Sequence, residues 1–133
     1  MFENIKLRWF VLPSLLTALF VISIPPVVSW AGALEDAQER VRQNPNDTQA
    51  HAVLGYTYSK SGRYEEAIVS YKEAIRVNPT HPKIAAAHYN LGNAYDELGR
   101  YEEAIVSYKE AIRLKPDDAK VHFNLGNSYA NLG

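Results

Sequence analysis

Cysteine is absent from the chain, which removes disulfides, thiolate zinc sites, a thiol nucleophile and the lipidated cysteine of a bacterial lipoprotein. A surplus of charge of one sign is also missing. Once Lys6, Arg8 and Glu3 of the amino-terminal segment are set aside, 12 basic and 14 acidic residues remain and the formal charge is −2 with the histidines neutral. Nothing in that balance drives phosphate or nucleic-acid binding. Neither a phosphate loop nor a dinucleotide fingerprint occurs. Ser70 and Ser107 have no histidine three or four residues away to serve as a base. The adjacent pairs Glu65/Glu66 and Glu102/Glu103 do not face each other on a helix. The sequence therefore offers no catalytic residue and no cofactor site, and its expected partner is not a nucleic acid.

What the chain has instead is an internal repetition. The fifteen residues Gly62–Arg76 recur, identity for identity, as Gly99–Arg113, at an offset of 37 residues. A fixed period of that size marks a repeat architecture, in which each unit buries its apolar face only by stacking on its neighbour. With 47% apolar residues, the chain has enough hydrophobic surface to build such a core.

The amino terminus reads separately. Lys6 and Arg8 precede an apolar run from Trp9 to Ile24, followed by Pro25 and Pro26 and by the small residues Ala31-Gly32-Ala33. These are the successive parts of a secretory signal. As a helix the run would span roughly 24 Å against about 30 Å of bilayer hydrocarbon, short for a permanent span. Residues 1–33 are read as a signal peptide cleaved after Ala33 or, alternatively, as an uncleaved signal anchor with Trp30 at the interface. Either reading exports the rest of the chain, to the periplasm or beyond, or leaves it anchored facing outward. A membrane contact arises only through this segment.

After it, Leu34, Ala37 and Val41 share one face of a short helix that stops at Pro45, so residues 34–45 read as a degenerate capping helix. Asn46 and Asp47 suit the cap of the next helix. A first unit, 48–81, places Leu54, Gly55 and Tyr58 on one helix and the repeated string on a second, whose stripe is Ala67, Tyr71 and Ala74. A second unit, 82–118, repeats the order after three extra residues near 82–84. The first helix of a third occupies 119–133, with Leu125, Gly126 and Tyr129. Leu54, Gly55, Tyr58, Gly62, Tyr64, Ala67, Tyr71, Ala74 and Pro79, and their counterparts Leu91, Gly92, Tyr95, Gly99, Tyr101, Ala104, Tyr108, Ala111 and Pro116, resemble the tetratricopeptide repeat. The resemblance implies an all-α fold, a right-handed superhelical solenoid of helix-turn-helix units.

His51, His88 and His122 stand at one place in three units, where a tryptophan is often found in that family. Equivalent positions on stacked helices lie on the order of 10 Å apart, whereas zinc holds its donors at roughly 2 Å, so no metal site is expected. Asparagines are the remaining candidates. Asn90, Asn93, Asn124 and Asn127 flank the Leu-Gly pairs of first helices, where helix propensity gives no reason for them.

The family resemblance implies that first helices line the concave face and that asparagines before the Leu-Gly pair hold the backbone of an extended peptide. Asn90 and Asn124 fall on that position, Val53 does not, and the plain alternative is a solvated surface amide. Lys120 and Lys60 would add charge recognition. The family's basic clamp for a terminal carboxylate is not reproduced, because Ala52 and Tyr56 occupy its first two positions. The expected function is that of a non-catalytic module binding a protein or an extended peptide. Two other readings are the adaptor part of a longer enzyme or assembly factor, and a structural protein that self-associates into homo-oligomers through the open third unit.

Overall fold

The computed structural model describes residues 26–133, with side chains from Ala31 onward. Six α-helices follow one another, with no strand among the described residues: α1 Pro26–Gln43, α2 Thr48–Lys60, α3 Tyr64–Val77, α4 Ile84–Glu97, α5 Tyr101–Leu114 and α6 Ala119–Leu132. Lys6, Arg8 and the run Trp9–Ile24 lie outside the described residues. Helix α1 corrects the expected start at Leu34. The chain is already helical at Pro26, the first described residue. Ala31-Gly32-Ala33 consequently lies inside α1. No helix among the described residues is long and apolar enough to cross a membrane.

Gly32–Gly133 form one compact unit. In it α1 buries Ala37 and ties to α2 through Gln38 Nε2, which donates to the Tyr58 hydroxyl at 3.0 Å. Asp47 caps α2 by accepting from the Gln49 N–H at 2.8 Å, and Asp118 caps α6 by accepting from the Lys120 N–H at 3.1 Å. The extra residues of the second unit change this pattern. The connection before α4 runs through Asn78–Lys83, the N-cap Lys83 makes no side-chain cap bond, and α4 opens on the buried Ile84.

Both hairpins close in the same way. Gly62 and Gly99 adopt φ of 72° and 70°, the left-handed conformation that ends a helix cheaply only for glycine. The Gly62 N–H bonds to Ser59 O at 3.1 Å and the Arg63 N–H to Tyr58 O at 2.9 Å; Gly99 and Arg100 bond to Asp96 O and Tyr95 O at 2.9 Å each. This double bond pattern satisfies the orphan carbonyls of α2 and α4. The arginine then reaches both ways. Arg63 stacks 4.6 Å from the Tyr58 ring centroid and donates to Glu66 at 2.8 and 3.0 Å, while Arg100 stacks 4.7 Å from Tyr95 and donates to Glu103 at 2.7 and 3.0 Å. Each arginine thus bridges the helix that ends to the helix that begins.

The core follows from the repeated string. Ala67, Tyr71 and Ala74 on α3, and Ala104, Tyr108 and Ala111 on α5, are all within 1% of complete burial. Helix α3 packs between α2 and α4, and α5 between α4 and α6. The two tyrosine rings pack against glycines of the preceding helix. A Cβ on Gly55 would sit 2.8 Å from Tyr71, and one on Gly92 2.5 Å from Tyr108. Gly126 occupies the same register on α6 and meets nothing within 4 Å. Leu125 and Tyr129 beside it are correspondingly more exposed than Leu91 and Tyr95.

Gly92→Leu should therefore lower stability by about 1 to 3 kcal/mol or more, because the buried Tyr108 ring has nowhere to go. Gly126→Ala should raise it by up to about 1 kcal/mol through helix propensity alone. Glu103→Ala, a surface change, should fall within about 1 kcal/mol of wild type. Denaturant melts of the three variants check the ordering.

Candidate peptide-binding groove

The first helices α2, α4 and α6 are neighbours along one side of the stack, and a groove runs between α2 and α4. Its upper part is bordered by Tyr56, Ser59, Lys60, Asn90, Asn93 and Glu97, and its lower part by Gln49, Val53, Lys83 and Ala86, with Tyr56 and Asn90 common to both. Tyr56 is half exposed, and the Lys60 ammonium lies 5.3 Å from its ring centroid, close enough for a modest cation–π attraction. The Tyr64 hydroxyl, at the groove's back, is pushed above its ordinary range by the negative charge of Glu97, helped by burial and by a hydrogen bond to that carboxylate. The half-buried Asn90 amide makes no side-chain hydrogen bond among the described residues, so its donor and acceptor face the groove unspent.

The other asparagines divide. Asn93 and Asn124 meet each other: Asn124 Nδ2 lies 2.8 Å from Asn93 Oδ1 and 3.3 Å from the Tyr89 hydroxyl. Asn93 Oδ1 also lies 2.7 Å from the Tyr108 hydroxyl, which is a further 2.7 Å from Asp96 Oδ2. Ser128 Oγ donates to Asp96 Oδ1 at 2.7 Å. Six polar side chains from α4, α5 and α6 thus form one half-buried chain under the inner face, and one end of each of the two amides is occupied in it. Burial, then the bond to Asp96 and its charge, raise the Tyr108 phenol far above the ordinary tyrosine range. Asn127 is exposed and Lys120 lies exposed at the start of α6. The structure does not bring either into the α2/α4 groove.

The same interface one unit earlier is built differently. Tyr71, Ser59, Tyr56, Asn90 and Ala94 stand where Tyr108, Asp96, Asn93, Asn124 and Ser128 stand in the next unit. Sequence reading passed over Asp96 and Ser128. The available signal was their joint departure from Ser59 and Ala94 when units are compared position by position.

A second kind of groove lies on the other side, beside α3 and α5. Val69 and Val106 are both 68% exposed there, and Leu91, Tyr95, His88 and Glu110 border the one at α5. The histidines serve structure. His51 and His122 donate from Nε2 to the carbonyls of Pro45 and Pro116 at 2.8 and 2.7 Å, bracing the turn before their helices. In the second unit the inserted residues move Pro79 out of step, and His88 is half-buried with its pKa lowered from 6.5, chiefly by desolvation.

A solenoid of helix-turn-helix units, each locking a tyrosine onto a glycine of its first helix, defines the class of protein. The TPR repeat family matches residues 55–99 and again 92–133, and the chain belongs to the tetratricopeptide repeat family. It is similar to the small glutamine-rich tetratricopeptide repeat-containing protein 2 of Mycosarcoma maydis, with 33% identity over 49 residues. That match covers 37% of this chain and 14% of the relative. Among solved structures, the crystal structure of MamA protein aligns with a TM-score of 0.73 at 27% identity, over 78% of this chain and 55% of that one. The first TPR of Spaghetti (RPAP3) bound to the HSP90 peptide SRMEEVD aligns at 0.73 over 80% and 82%, at 18% identity, a likeness of fold alone. The chain spans about half the length of the MamA structure and a smaller part of the fungal protein.

His88 gives a pH dependence. Its folded pKa lies below 6.5, so the unfolded chain binds the proton more readily, and the stability tied to neutral His88 is present above about pH 6.5 and lost as the pH falls below it. The melting temperature of His88→Gln should drop less between pH 7.5 and pH 5.5 than that of the wild type.

Proposed function

We propose that the chain is a non-catalytic protein-interaction module that holds an extended peptide in the inner groove between α2 and α4 and along α6. The observation that supports this most is the unspent Asn90 amide beside the half-exposed Tyr56, facing a groove with lysines at both ends. An amide that both donates and accepts suits a peptide backbone, which presents both groups. Asn93 and Asn124 each keep one end of the amide free for the same purpose, and Asn127 and Lys120 continue the line along α6. A TPR domain solved with an HSP90 peptide gives a precedent for peptide binding on this fold. We further propose that the chain acts outside the cytoplasm, on the strength of Lys6, Arg8 and the apolar run Trp9–Ile24.

A peptide selected by display on the immobilised full chain and measured by calorimetry tests the groove. Each backbone-directed hydrogen bond contributes about 0.5 to 1.5 kcal/mol, so Asn90→Ala with Asn124→Ala should weaken binding roughly five- to a hundredfold. Glu66→Ala, remote from the groove, should leave affinity unchanged. Full affinity in the double variant would remove Asn90 and Asn124 from the binding site. Amino-terminal sequencing tests export: a mature start at Leu34 supports a cleaved signal, and a start at Met1 in membranes supports an anchor.

A further inference from the structure

The Tyr108 hydroxyl has one proton and two acceptor atoms, Asp96 Oδ2 and Asn93 Oδ1, each at 2.7 Å. A carboxylate only accepts, and hydrogen bonds to ionised acceptors are the stronger ones. The proton therefore goes to Asp96. Two oxygens, Tyr108 Oη and Asn93 Oδ1, would then face each other at hydrogen-bond distance with no hydrogen between them. Bare oxygens held at that separation repel.

Turning the Asn93 amide end for end removes the conflict without moving its neighbours, because the two ends of the group have nearly the same shape and differ in what they donate. Asn93 Nδ2 then donates one proton to Tyr108 Oη. Its other proton points at Asn124, whose amide must turn as well to present an oxygen, and that oxygen also receives the Tyr89 hydroxyl. Each of the five contacts from Ser128 through Asp96, Tyr108, Asn93 and Asn124 to Tyr89 then holds one donor and one acceptor. In this arrangement the Asp96 carboxylate only accepts, and a hydrogen lies in each of the five contacts.

We propose that Asp96 is a positioning residue that fixes the amide orientation of Asn93 and Asn124, and through it the polarity of the inner face. With Asp96 present, Asn93 offers the groove an acceptor and Asn124 a donor. Without it, Tyr108 gives its proton to Asn93, both amides turn back, and the offer is reversed. A bound strand would have to meet Asn93 with an N–H in the first case and with a C=O in the second, so Asp96 sets the register of the peptide. The consequence for ligand register rests on the proposed groove; the amide orientation does not. The first unit, with Ser59 and Tyr56 in the corresponding places, has no such relay and leaves Asn90 free to turn to either group.

The test is made on the ligand-free full chain, so that its failure is separate from any failure of peptide binding. Side-chain amide protons of Asn93 in ¹⁵N-labelled protein should show cross-relaxation to the Tyr108 ring Hε protons. In Asp96→Ala those cross-peaks should be lost, with the helical circular dichroism retained. Wild-type protein in which the Asn93 amide protons show no cross-peak to Tyr108 would overturn the proposal. So would Asp96→Ala that keeps the cross-peaks. Should Asp96→Ala loosen α6, the wild-type spectrum alone still decides.

Discussion

Everything in this stack depends on the contact of a tyrosine ring with a helix that has no side chain at that point. Two helix backbones come close enough for Tyr108 to lie on Gly92, and for Tyr71 to lie on Gly55, only because no Cβ intervenes. That approach buries the flanking alanines and brings the tyrosine hydroxyl out on the far side of the first helix, next to the residues of the inner face. A ring that packs a core at one end and reaches a polar cluster at the other joins stability to the recognition surface.

This explains why parts of the site share side chains with the core. Asn93 and Asn124 were expected to hold a peptide or to stand as solvated surface amides, and each is bonded into the joint between the second and third units. A change at either residue therefore acts on packing as well as on binding, and only a comparison with Asn90, which has no such partner, separates the two. Among these positions the joints differ at three, with Ser59, Tyr56 and Ala94 in the first against Asp96, Asn93 and Ser128 in the second. In the second joint these residues build a chain of hydrogen bonds.

The fold was largely readable before any coordinates because every local signal agreed with the others: the period, the glycine breaks, the acidic first turns and the apolar stripes. Helix order, the tyrosine stripes and a cap at Asn46 or Asp47 were legible residue by residue. Two features were not. The helical residues before Leu34 were missed because Pro25 and Pro26 read in sequence as the end of a helix. The polar chain from Tyr89 to Ser128 escaped because hydrogen bonds between residues more than 30 positions apart leave no periodic trace in a sequence. Arg63 and Arg100 were also passed over, since their work of joining a departing helix to an arriving one depends on the turn geometry rather than on either helix.

The identity of α3 and α5 has a consequence of its own. Over thirteen residues, Tyr64–Arg76 and Tyr101–Arg113, the same side chains sit in the same order on two helices of one molecule. Propensity, charge pattern and intrinsic amide chemistry cancel between them. Any disparity in protection or mobility between matched residues then measures the neighbours alone: the α2 and α4 flanks of one helix against the α4 and α6 flanks of the other. The molecule carries its own reference standard, and the energy of a joint between repeats becomes accessible as a difference within a single sample.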